Sequence, residues 1–479
     1  MSPQTSFGPR FRLLVLLIAS LFALRFSLTT LFSDPPATTL DSDNTKPTSD
    51  GKEEDDELPR PPRFPDVPEA SIPTVWDDTV PLIYTTAPGV KPGHVWLFGQ
   101  GVLVNESDPQ PLQCVLGGVA RPMVRSKRFW YTKFTTAFLC ELPAPPGRLE
   151  AGALLTILHR GVPVPSTARY RPELFVDAVE ARPRYGTCMV TQMRDMAYMV
   201  DEWMAYHRHI GIDHFYIYDN NSTDHLAALY GRGYGDVEVI PWPWRRSQNQ
   251  AYSHALAFAR SRCHWIFFAD VDYFLLPLTS PPTVQGIVAH VLGQSKCSVS
   301  SVVELRFEGL RPSHDNLVTC PAAPVIETYV HRNADEARAY DQGFGLVMSS
   351  AADALHHVHF AELQSPTHHK SVKVAHDVAF GYHFSDRCWP QYYRQKCFGR
   401  GSIRDWDIPN DVDETHPTQE WWDIGKGQVV ADTRLRDFKR TLVGPAPAPV
   451  IRRAPFDYTC DPDPVGLKKF LYRTSYGMI

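Results

Sequence analysis

The sequence has no CxxC pair, no HExxH motif and no repeating cysteine spacing, although it contains nine cysteines. A zinc ribbon and a dense disulfide scaffold are therefore not expected. The odd cysteine count leaves at least one thiol unpaired or paired between chains. An excess of basic charge is also missing, since the formal net charge is -5. No nucleic-acid partner is expected for such a chain.

An uninterrupted apolar stretch long enough to cross a membrane is missing as well. Residues 13–24 and 26–32 are apolar, but Arg25 lies between them. A membrane-spanning helix needs about 20 residues, and this stretch reaches that length only with Arg25 included. Because no convincing small-x-small cleavage site follows, residues 1–32 are predicted to be a cytosolic tail and an uncleaved signal-anchor. A cleaved signal peptide is the alternative. Basic residues before the span predict that the rest of the chain is lumenal.

Two segments of different composition follow. Residues 33–70 are rich in Pro, Ser, Thr, Asp and Glu, which predicts a disordered stem. Residues 71–171 contain short β-like runs separated by Gly and Pro turns, which indicates a β-sandwich. This sandwich is interpreted either as a carbohydrate-binding module or as a structural platform for the next domain.

Two features of this second segment suit a lumenal location. Cys114 and Cys140 are a candidate disulfide pair. Asn105 begins an Asn-Glu-Ser sequon and is a predicted glycosylation site.

From residue 172 onward the pattern changes to alternating strands and helices. The predicted strands are 186–191, 214–218, 237–240 and 264–269, and the predicted helices are 196–211 and 248–261. This alternation predicts an α/β, Rossmann-like catalytic domain over residues 172–460, followed by a C-terminal tail over 461–479. Ligands of such sheets bind beyond the carboxyl ends of the strands. Asp219, Asp270 and Asp272 lie at these ends.

The triplet Asp270-Val271-Asp272 directly follows a very apolar strand. Carboxylates are the ligands that Mg²⁺ and Mn²⁺ prefer, and such a cation can neutralise the diphosphate of a nucleotide-sugar. His383 is either a third ligand or an ordinary buried histidine. Lys396 and Arg400 either contact the diphosphate or belong to a basic surface helix.

A histidine group elsewhere in the chain is expected to be structural, because no zinc-binding motif surrounds it. Its members are His356, His357, His359, His368 and His369.

Several blocks occurring together in order resemble glycosyltransferase family 92 over roughly residues 185–405. These blocks are residues 202–207, 211–220, 250–252, 270–272 and 399–401. With its anchor, stem and β-module, the chain looks most similar to the plant galactan synthases of that family. Two departures are visible: Tyr273 stands where the family commonly has Glu, and Asp195 stands where Asn or Glu is usual.

The resemblance implies a GT-A fold, UDP-galactose as donor and Mn²⁺ held by Asp270 and Asp272. The implied product is β-1,4-galactan on pectic rhamnogalacturonan I, made with inversion in the Golgi by a single-pass type II membrane protein. By the same resemblance, Thr191, Arg194 and Asp219 border the uridine, and Gln250 also belongs to the donor site. A homodimer is plausible for such an enzyme.

Inversion requires a general base that accepts the proton of the acceptor hydroxyl. Four acids lie downstream of the triplet: Glu304, Glu308, Asp341 and Glu362. Glu308 is preferred because it follows the strand-like residues 302–307, although a solvated acid at a strand end is the alternative.

Three other functions are considered. The first is the transfer of another sugar, such as arabinopyranose. The second is an inactive carbohydrate-binding protein, which the intact Asp270, Asp272 and His383 disfavour. The third is a metal-dependent phosphohydrolase, which the ordered motifs and the predicted anchor disfavour.

Overall fold

The computed structural model describes residues 80–102, 112–129, 135–143, 149–175, 183–224, 226–230, 235–294, 301–315, 317, 319–320, 323–334, 340–365, 367–385, 387–392 and 428–443. All of them belong to one compact unit, Phe64–Ile479. The predicted tail, anchor and stem, with Asn105, Lys396 and Arg400, lie outside the described residues. Among the described residues, no helix has the length and apolar character needed to span a bilayer.

The N-terminal β-module is built from seven described strands. They are β1 (Leu82–Pro88), β2 (His94–Gln100), β3 (Gln113–Leu116), β4 (Val119–Arg128), β5 (Thr135–Glu141), β6 (Leu155–His159) and β7 (Val162–Pro163). The strands form one antiparallel sheet in the order β1-β2-β5-β4-β3-β6-β7.

The predicted β-sandwich takes the form of one continuous sheet. The long strand β4 pairs with β3 through its first half and with β5 through its second half, so the two halves are continuous. Ile83 also bridges to Ser166, just after β7, which brings the two ends of the sheet together. The sheet curls around its own apolar core, which contains the predicted Cys114–Cys140 disulfide.

Alternate residues of the first strands serve two different cores, because neighbouring side chains of a strand point to opposite faces. Ile83 and Leu97 point into the core of the β-module. Tyr84 and Trp96 point the other way and pack into the core of the following domain. The module therefore shares a continuous apolar interface with the α/β part of the chain.

The α/β part contains thirteen of the described strands. They are β8 (Tyr185–Met193), β9 (His214–Asp219), β10 (Val237–Pro241), β11 (Cys263–Phe268), β12 (Tyr273–Pro277), β13 (Val302–Leu310), β14 (His331–Asn333), β15 (Tyr340–Met348), β16 (Ala352–His357), β17 (Phe360–Leu363), β18 (Lys370–Lys373), β19 (Ala379–His383) and β20 (Val429–Ala431). Its described helices are α1 (Ala197–His209), α2 (Leu226–Tyr230), α3 (Gln248–Ala259), α4 (Val284–Gln294), α5 (Val325–Thr328) and α6 (Arg434–Val443).

The main sheet has the order β10-β9-β8-β11-β15-β13-β19-β12, with β18 beside β13. Strands β10, β9, β8 and β11 are parallel, in the 3-2-1-4 order of a doubly wound sheet. This half confirms the predicted strands and the predicted α/β class. The second half is mixed, because β15 runs antiparallel to both β11 and β13, and β12 runs antiparallel to β19.

Helix α1 follows from its sequence pattern. Met199, Trp203 and Tyr206 recur at helical spacing, and all three are buried on one face. The carboxylate of Asp224 accepts the backbone N–H of Ala197 at 2.8 Å, at the end where a helix favours negative charge. Gly211, with a φ of +95°, lies just beyond the other end.

Helix α3 is buried along its whole length, because it lies between the main sheet and the β-module. At its centre, Gln250 donates from Nε2 to the carbonyl oxygens of Gly99 at 2.8 Å and Thr136 at 3.0 Å. Its Oε1 accepts the hydroxyl of Tyr84. Gln250 therefore joins the β-module to α3 with three buried hydrogen bonds.

The substitution Gln250→Ala is expected to lower the free energy of unfolding by at least about 2 kcal/mol, because it leaves buried polar groups without partners. Denaturant unfolding measures this change. Gln364 is a matched control, since its exposed side chain makes a hydrogen bond to the carbonyl oxygen of Ser350. Gln364→Ala is expected to change stability by less than about 0.5 kcal/mol. Equal effects of the two substitutions would contradict the prediction.

Two fully buried histidines link stability to pH. Burial lowers the pKa of His207 to about 3 and that of His254 to about 3. His207 is hydrogen-bonded to the carbonyl oxygen of Trp203, and His254 to the hydroxyl of Tyr218. Between pH 6.5 and 3 the unfolded chain therefore binds protons that the folded chain does not, so stability falls as the pH falls.

Lowering the pH from 6.5 to 5.0 is expected to lower the free energy of unfolding by about 1.5 kcal/mol for each of these histidines. Urea unfolding at the two pH values measures the change. His207→Gln is expected to make stability less dependent on pH, because it removes a group that only the unfolded chain protonates in this range. An unchanged dependence in His207→Gln would show that this prediction is wrong.

Candidate active site

Asp270 and Asp272 lie in a tight turn that joins β11 to β12. The backbone N–H of Tyr273 donates to the carbonyl oxygen of Asp270 at 3.0 Å and closes the turn. Strand β11 is apolar and central, so the turn places both carboxylates at the carboxyl edge of the parallel strands. The side chain of Asp270 is 19% exposed and that of Asp272 is 5% exposed.

His383 joins the two aspartates, as the hypothesis of a third ligand requires. It ends β19 and is paired with Tyr273, the first residue of β12. Its Nε2 lies 3.8 Å from Asp270 Oδ2 and 3.5 Å from Asp272 Oδ1. One ligand atom from each of the three residues lies within 4.8 Å of the others. In the part of the chain that the structure describes, no other three His, Cys, Asp or Glu side chains converge in this way.

These three residues fit a divalent cation. Two carboxylates this close repel each other, and partial burial strengthens the repulsion. A cation between them removes that cost, and two carboxylates favour a hard ion such as Mg²⁺ or Mn²⁺. Asp270, Asp272 and His383 are the residues that would hold it.

Helix α3 supplies two further contacts to Asp270. Nε2 of Gln248 donates to Asp270 Oδ1 at 2.5 Å, and the hydroxyl of Tyr252 lies 3.4 Å from the same oxygen. Burial raises the pKa of Tyr252 well above its usual value, so its hydroxyl stays protonated as a donor. Residues four apart share a helix face, which brings both to the site. Neither residue was predicted to belong to the site. The signal in the sequence was their four-residue separation on the helix that precedes the strand ending at the triplet.

Gln250, between these two residues, points to the opposite side of α3 and toward the β-module. Its contacts there disfavour a role in donor binding, which stays a prediction. The side chain is fully buried, and both its amide oxygen and its amide nitrogen are engaged by Tyr84, Gly99 and Thr136.

Arg387 contacts the site from the other side and was also not predicted. Its Nη1 lies 3.2 Å from Asp272 Oδ2, and the side chain is 0% exposed. It follows β19 by four residues, and the backbone N–H of Phe384 donates to the carbonyl oxygen of Asp272 at 2.8 Å. The segment after β19 is therefore tied to the triplet through both main chain and side chain.

Two of the three predicted uridine-contacting residues, Arg194 and Asp219, come together at the ends of β8 and β9. Met193 and Asp219 are register partners, which places Arg194 and Asp219 at one edge of the sheet. Arg194 Nε lies 3.6 Å from Asp195 Oδ2, and Asp219 Oδ1 accepts the N–H of Ser222 at 2.9 Å. Burial raises the pKa of Asp219 against the opposing hydrogen bonds of Ser222.

Thr191, two residues before Met193, is fully buried next to Tyr252. Thr191 therefore lies inside the sheet, behind the carboxyl edge of the parallel strands, and not at that edge itself. Its predicted contact with the uridine stays a prediction, as do the contacts of Arg194 and Asp219.

Glu308, the preferred general base, is occupied by other partners. Its carboxylate is paired with Lys373 and His376. Burial alone would raise the pKa of Glu308, but the hydrogen bonds and charges of Lys373 and His376 together lower it. A general base is most effective with a pKa near the working pH, so these contacts argue against this role.

The other candidate bases whose side chains are described, Glu304 and Glu362, also have hydrogen-bonding or ionic partners. Glu304 accepts the N–H of Ala361 at 2.7 Å, and burial raises its pKa. Glu362 is paired with Arg125 and Lys127 of β4, which adds a charged contact between the β-module and the α/β part. The side chain of Asp341 lies outside the described residues.

Tyr273, the departure from the family pattern, is fully buried under the site. Its hydroxyl donates to the carbonyl oxygen of Glu308 at 3.2 Å. Its ring centroid lies 4.9 Å from that of Phe344 and 6.0 Å from that of His383. The tyrosine thus fills the space beneath His383 and contributes no charge to the triplet.

The doubly wound sheet carries an acidic cluster that fits a cation at its carboxyl edge. This arrangement is typical of α/β proteins that bind their ligands beyond the strand ends. The chain belongs to glycosyltransferase family 92, whose model matches residues 184–425.

Individual plant proteins agree with this assignment. The chain is 25% identical over 255 residues to a glycosyltransferase family 92 protein of Oryza sativa subsp. japonica, covering 52% of this chain and 42% of the relative. It is 26% identical to a family 92 protein of Ricinus communis, covering 50% and 42%. It is 26% identical to one of Arabidopsis thaliana, covering 48% and 40%. The matches thus span about two-fifths of the length of these relatives.

Asp272→Asn is expected to weaken Mn²⁺ binding by about tenfold or more, because it removes an anionic ligand from the cluster. Electron paramagnetic resonance of free Mn²⁺ during titration measures the affinity. Asp236, which is paired with Arg208 ahead of β10, gives the control Asp236→Asn. Identical Mn²⁺ affinities of the two variants would refute the assigned cation site.

Proposed function

We propose that this protein is an inverting galactosyltransferase that moves galactose from UDP-galactose onto β-1,4-galactan side chains of pectic rhamnogalacturonan I, with Mn²⁺ as cofactor. The observation that carries the proposal is the convergence of Asp270, Asp272 and His383 at the carboxyl edge of a doubly wound sheet in a family 92 chain. The specific sugar and acceptor rest on the sequence resemblance to plant galactan synthases. A GT-A fold belongs to the same proposal.

The cation, held by Asp270, Asp272 and His383, would stabilise the negative charge that develops on the departing diphosphate. Gln248 and Tyr252 orient Asp270 through their hydrogen bonds. Arg194 and Asp219 lie where the parallel strands end and are proposed to contact the uridine. Lys396 and Arg400 are proposed to contact the diphosphate.

In the proposed reaction, the acceptor hydroxyl oxygen forms a bond to the anomeric carbon as the bond from that carbon to the diphosphate breaks. UDP leaves, and the hydroxyl proton passes to a general base. The paired carboxylate of Glu308 is a poor candidate for this base. The base therefore stays unassigned in this proposal.

The remaining features of the proposal concern location. The protein is proposed to be a Golgi type II membrane protein with a lumenal catalytic domain, which can form a homodimer. Three disulfides among the described residues suit an oxidising compartment: Cys114–Cys140, Cys188–Cys263 and Cys320–Cys388.

Incubation of the protein with UDP-galactose, Mn²⁺ and a short β-1,4-galactan is expected to extend the acceptor by galactose units and release UDP. Mass spectrometry of the oligosaccharide and a UDP assay measure the two products. Asp270→Ala is expected to lower the rate by about 100-fold or more, because it removes a ligand of the charge-stabilising cation.

The control for this experiment is Asp236→Ala, whose carboxylate is paired with Arg208 away from the triplet. Extension with UDP-arabinopyranose but not with UDP-galactose would assign a different donor to the same site. Absence of both extension and UDP release would overturn the proposal. Full activity of Asp270→Ala would overturn the role of the cation.

A further inference from the structure

Arg387 is a fully buried arginine, and its guanidinium reaches Asp272. Arginine is rarely buried completely without an ionic partner. Here Nη1 lies 3.2 Å from Asp272 Oδ2, while the sulfur of Met199 lies 2.9 Å from Nη1 and that of Met196 lies 3.9 Å from Nη2. The charged group is thus placed between helix α1 and the cation-binding turn.

The two oxygens of Asp272 face different partners. Oδ2 is directed to Arg387, and Oδ1 is directed to His383 Nε2 at 3.5 Å. The two oxygens are chemically equivalent, so a half-turn of the carboxylate restores the same contacts, whereas any intermediate rotation breaks the contact with the guanidinium. Arg387 therefore fixes the orientation in which Oδ1 is presented to the cluster with Asp270 and His383.

The backbone beside Arg387 is itself held at several points. Cys388, its immediate neighbour, forms a disulfide with Cys320. The backbone N–H of Cys388 donates to the hydroxyl of Tyr329 at 2.8 Å, and that of Trp389 donates to the carbonyl oxygen of Leu317 at 2.9 Å. These bonds limit the positions that the guanidinium can take.

We propose that Arg387 is a positioning residue that sets the orientation of Asp272 for cation binding, and that the Cys320–Cys388 disulfide holds Arg387 in place. This inference rests on the proposed cation site. It goes beyond that site because Arg387, which is not a ligand, is given a defined share of the Mn²⁺ affinity. The hydrogen-bonding partners of metal ligands commonly contribute 10- to 100-fold to metal affinity.

The test is a Mn²⁺ titration of the full chain, without donor or acceptor, followed by electron paramagnetic resonance. Arg387→Gln is expected to bind Mn²⁺ about 10- to 100-fold more weakly than the natural chain. Arg387→Lys keeps the charge but loses the planar fork of donors, so it is expected to restore part of the affinity.

Arg260 provides the matched control. It is a partly buried arginine that donates to backbone carbonyl oxygens of Ser349 and Ala352, each at 3.1 Å. Arg260→Gln is expected to leave the Mn²⁺ affinity within about twofold of that of the natural chain, because distant sites with no shared partners act independently. Circular dichroism and thermal unfolding of each variant show whether it folds, and only folded variants enter the comparison.

Two outcomes would overturn the role of Arg387. The first is an unchanged Mn²⁺ affinity in folded Arg387→Gln. The second is tighter binding, which would show that the guanidinium acts mainly as a like charge repelling the cation. If the natural chain itself binds no Mn²⁺, the proposed cation site fails and this inference fails with it. If it binds Mn²⁺ but transfers no galactose, only the substrate assignment fails.

The role of the disulfide is tested by a double-mutant cycle. Cys388→Ser is expected to weaken Mn²⁺ binding, whereas Cys114→Ser, in the β-module disulfide, leaves it unchanged. Because the disulfide acts through Arg387, adding Cys388→Ser to Arg387→Gln is expected to cause no further loss. Fully additive losses would show that the disulfide does not act through Arg387.

Discussion

Two like charges held close together in a mostly buried turn are the constraint around which this site is built. Asp270 and Asp272 repel each other more strongly there than they would in water. Two side chains from separate parts of the chain offset this repulsion. Gln248 donates to Asp270 from α3 and Arg387 pairs with Asp272, while His383 faces both carboxylates from the end of β19 as a candidate ligand. The sheet order, the buried helix and the disulfide after β19 bring these groups together.

Prediction from sequence worked where structure follows from local patterns. Strands β8 to β11 and helices α1 and α3 were visible because apolar periodicity and flanking turns lie within a few residues of each other. The antiparallel insertion of β15 and the return of β19 beside β13 could not be predicted, since such pairings depend on contacts between distant segments. The curl of the β-module was missed for the same reason: β4 serves both halves, which no local pattern shows.

The candidate site was predictable only in part. The triplet was visible because it follows a very apolar strand, whereas the sequence left open whether His383 is a ligand or an ordinary buried histidine. The resemblance assigns Gln250 to the donor site, whereas the hydrogen bond to the triplet comes from Gln248, two residues earlier on the helix. Glu308 was chosen for its place after a strand, but its pairing with Lys373 is a long-range contact.

The tyrosine beneath the site has a consequence for how this chain can vary. A Cβ atom added at Gly381 would lie 1.9 Å from the ring of Tyr273, and one added at Gly343 would lie 2.8 Å from its hydroxyl oxygen. At Gly381 a side chain therefore requires a smaller residue at 273, whereas at Gly343 the carbonyl oxygen of Phe307, 2.3 Å from such a Cβ, excludes one whatever stands at 273. We expect positions 381 and 273 to covary among related sequences: the glycine should be retained where the ring is present and become substitutable where position 273 is small.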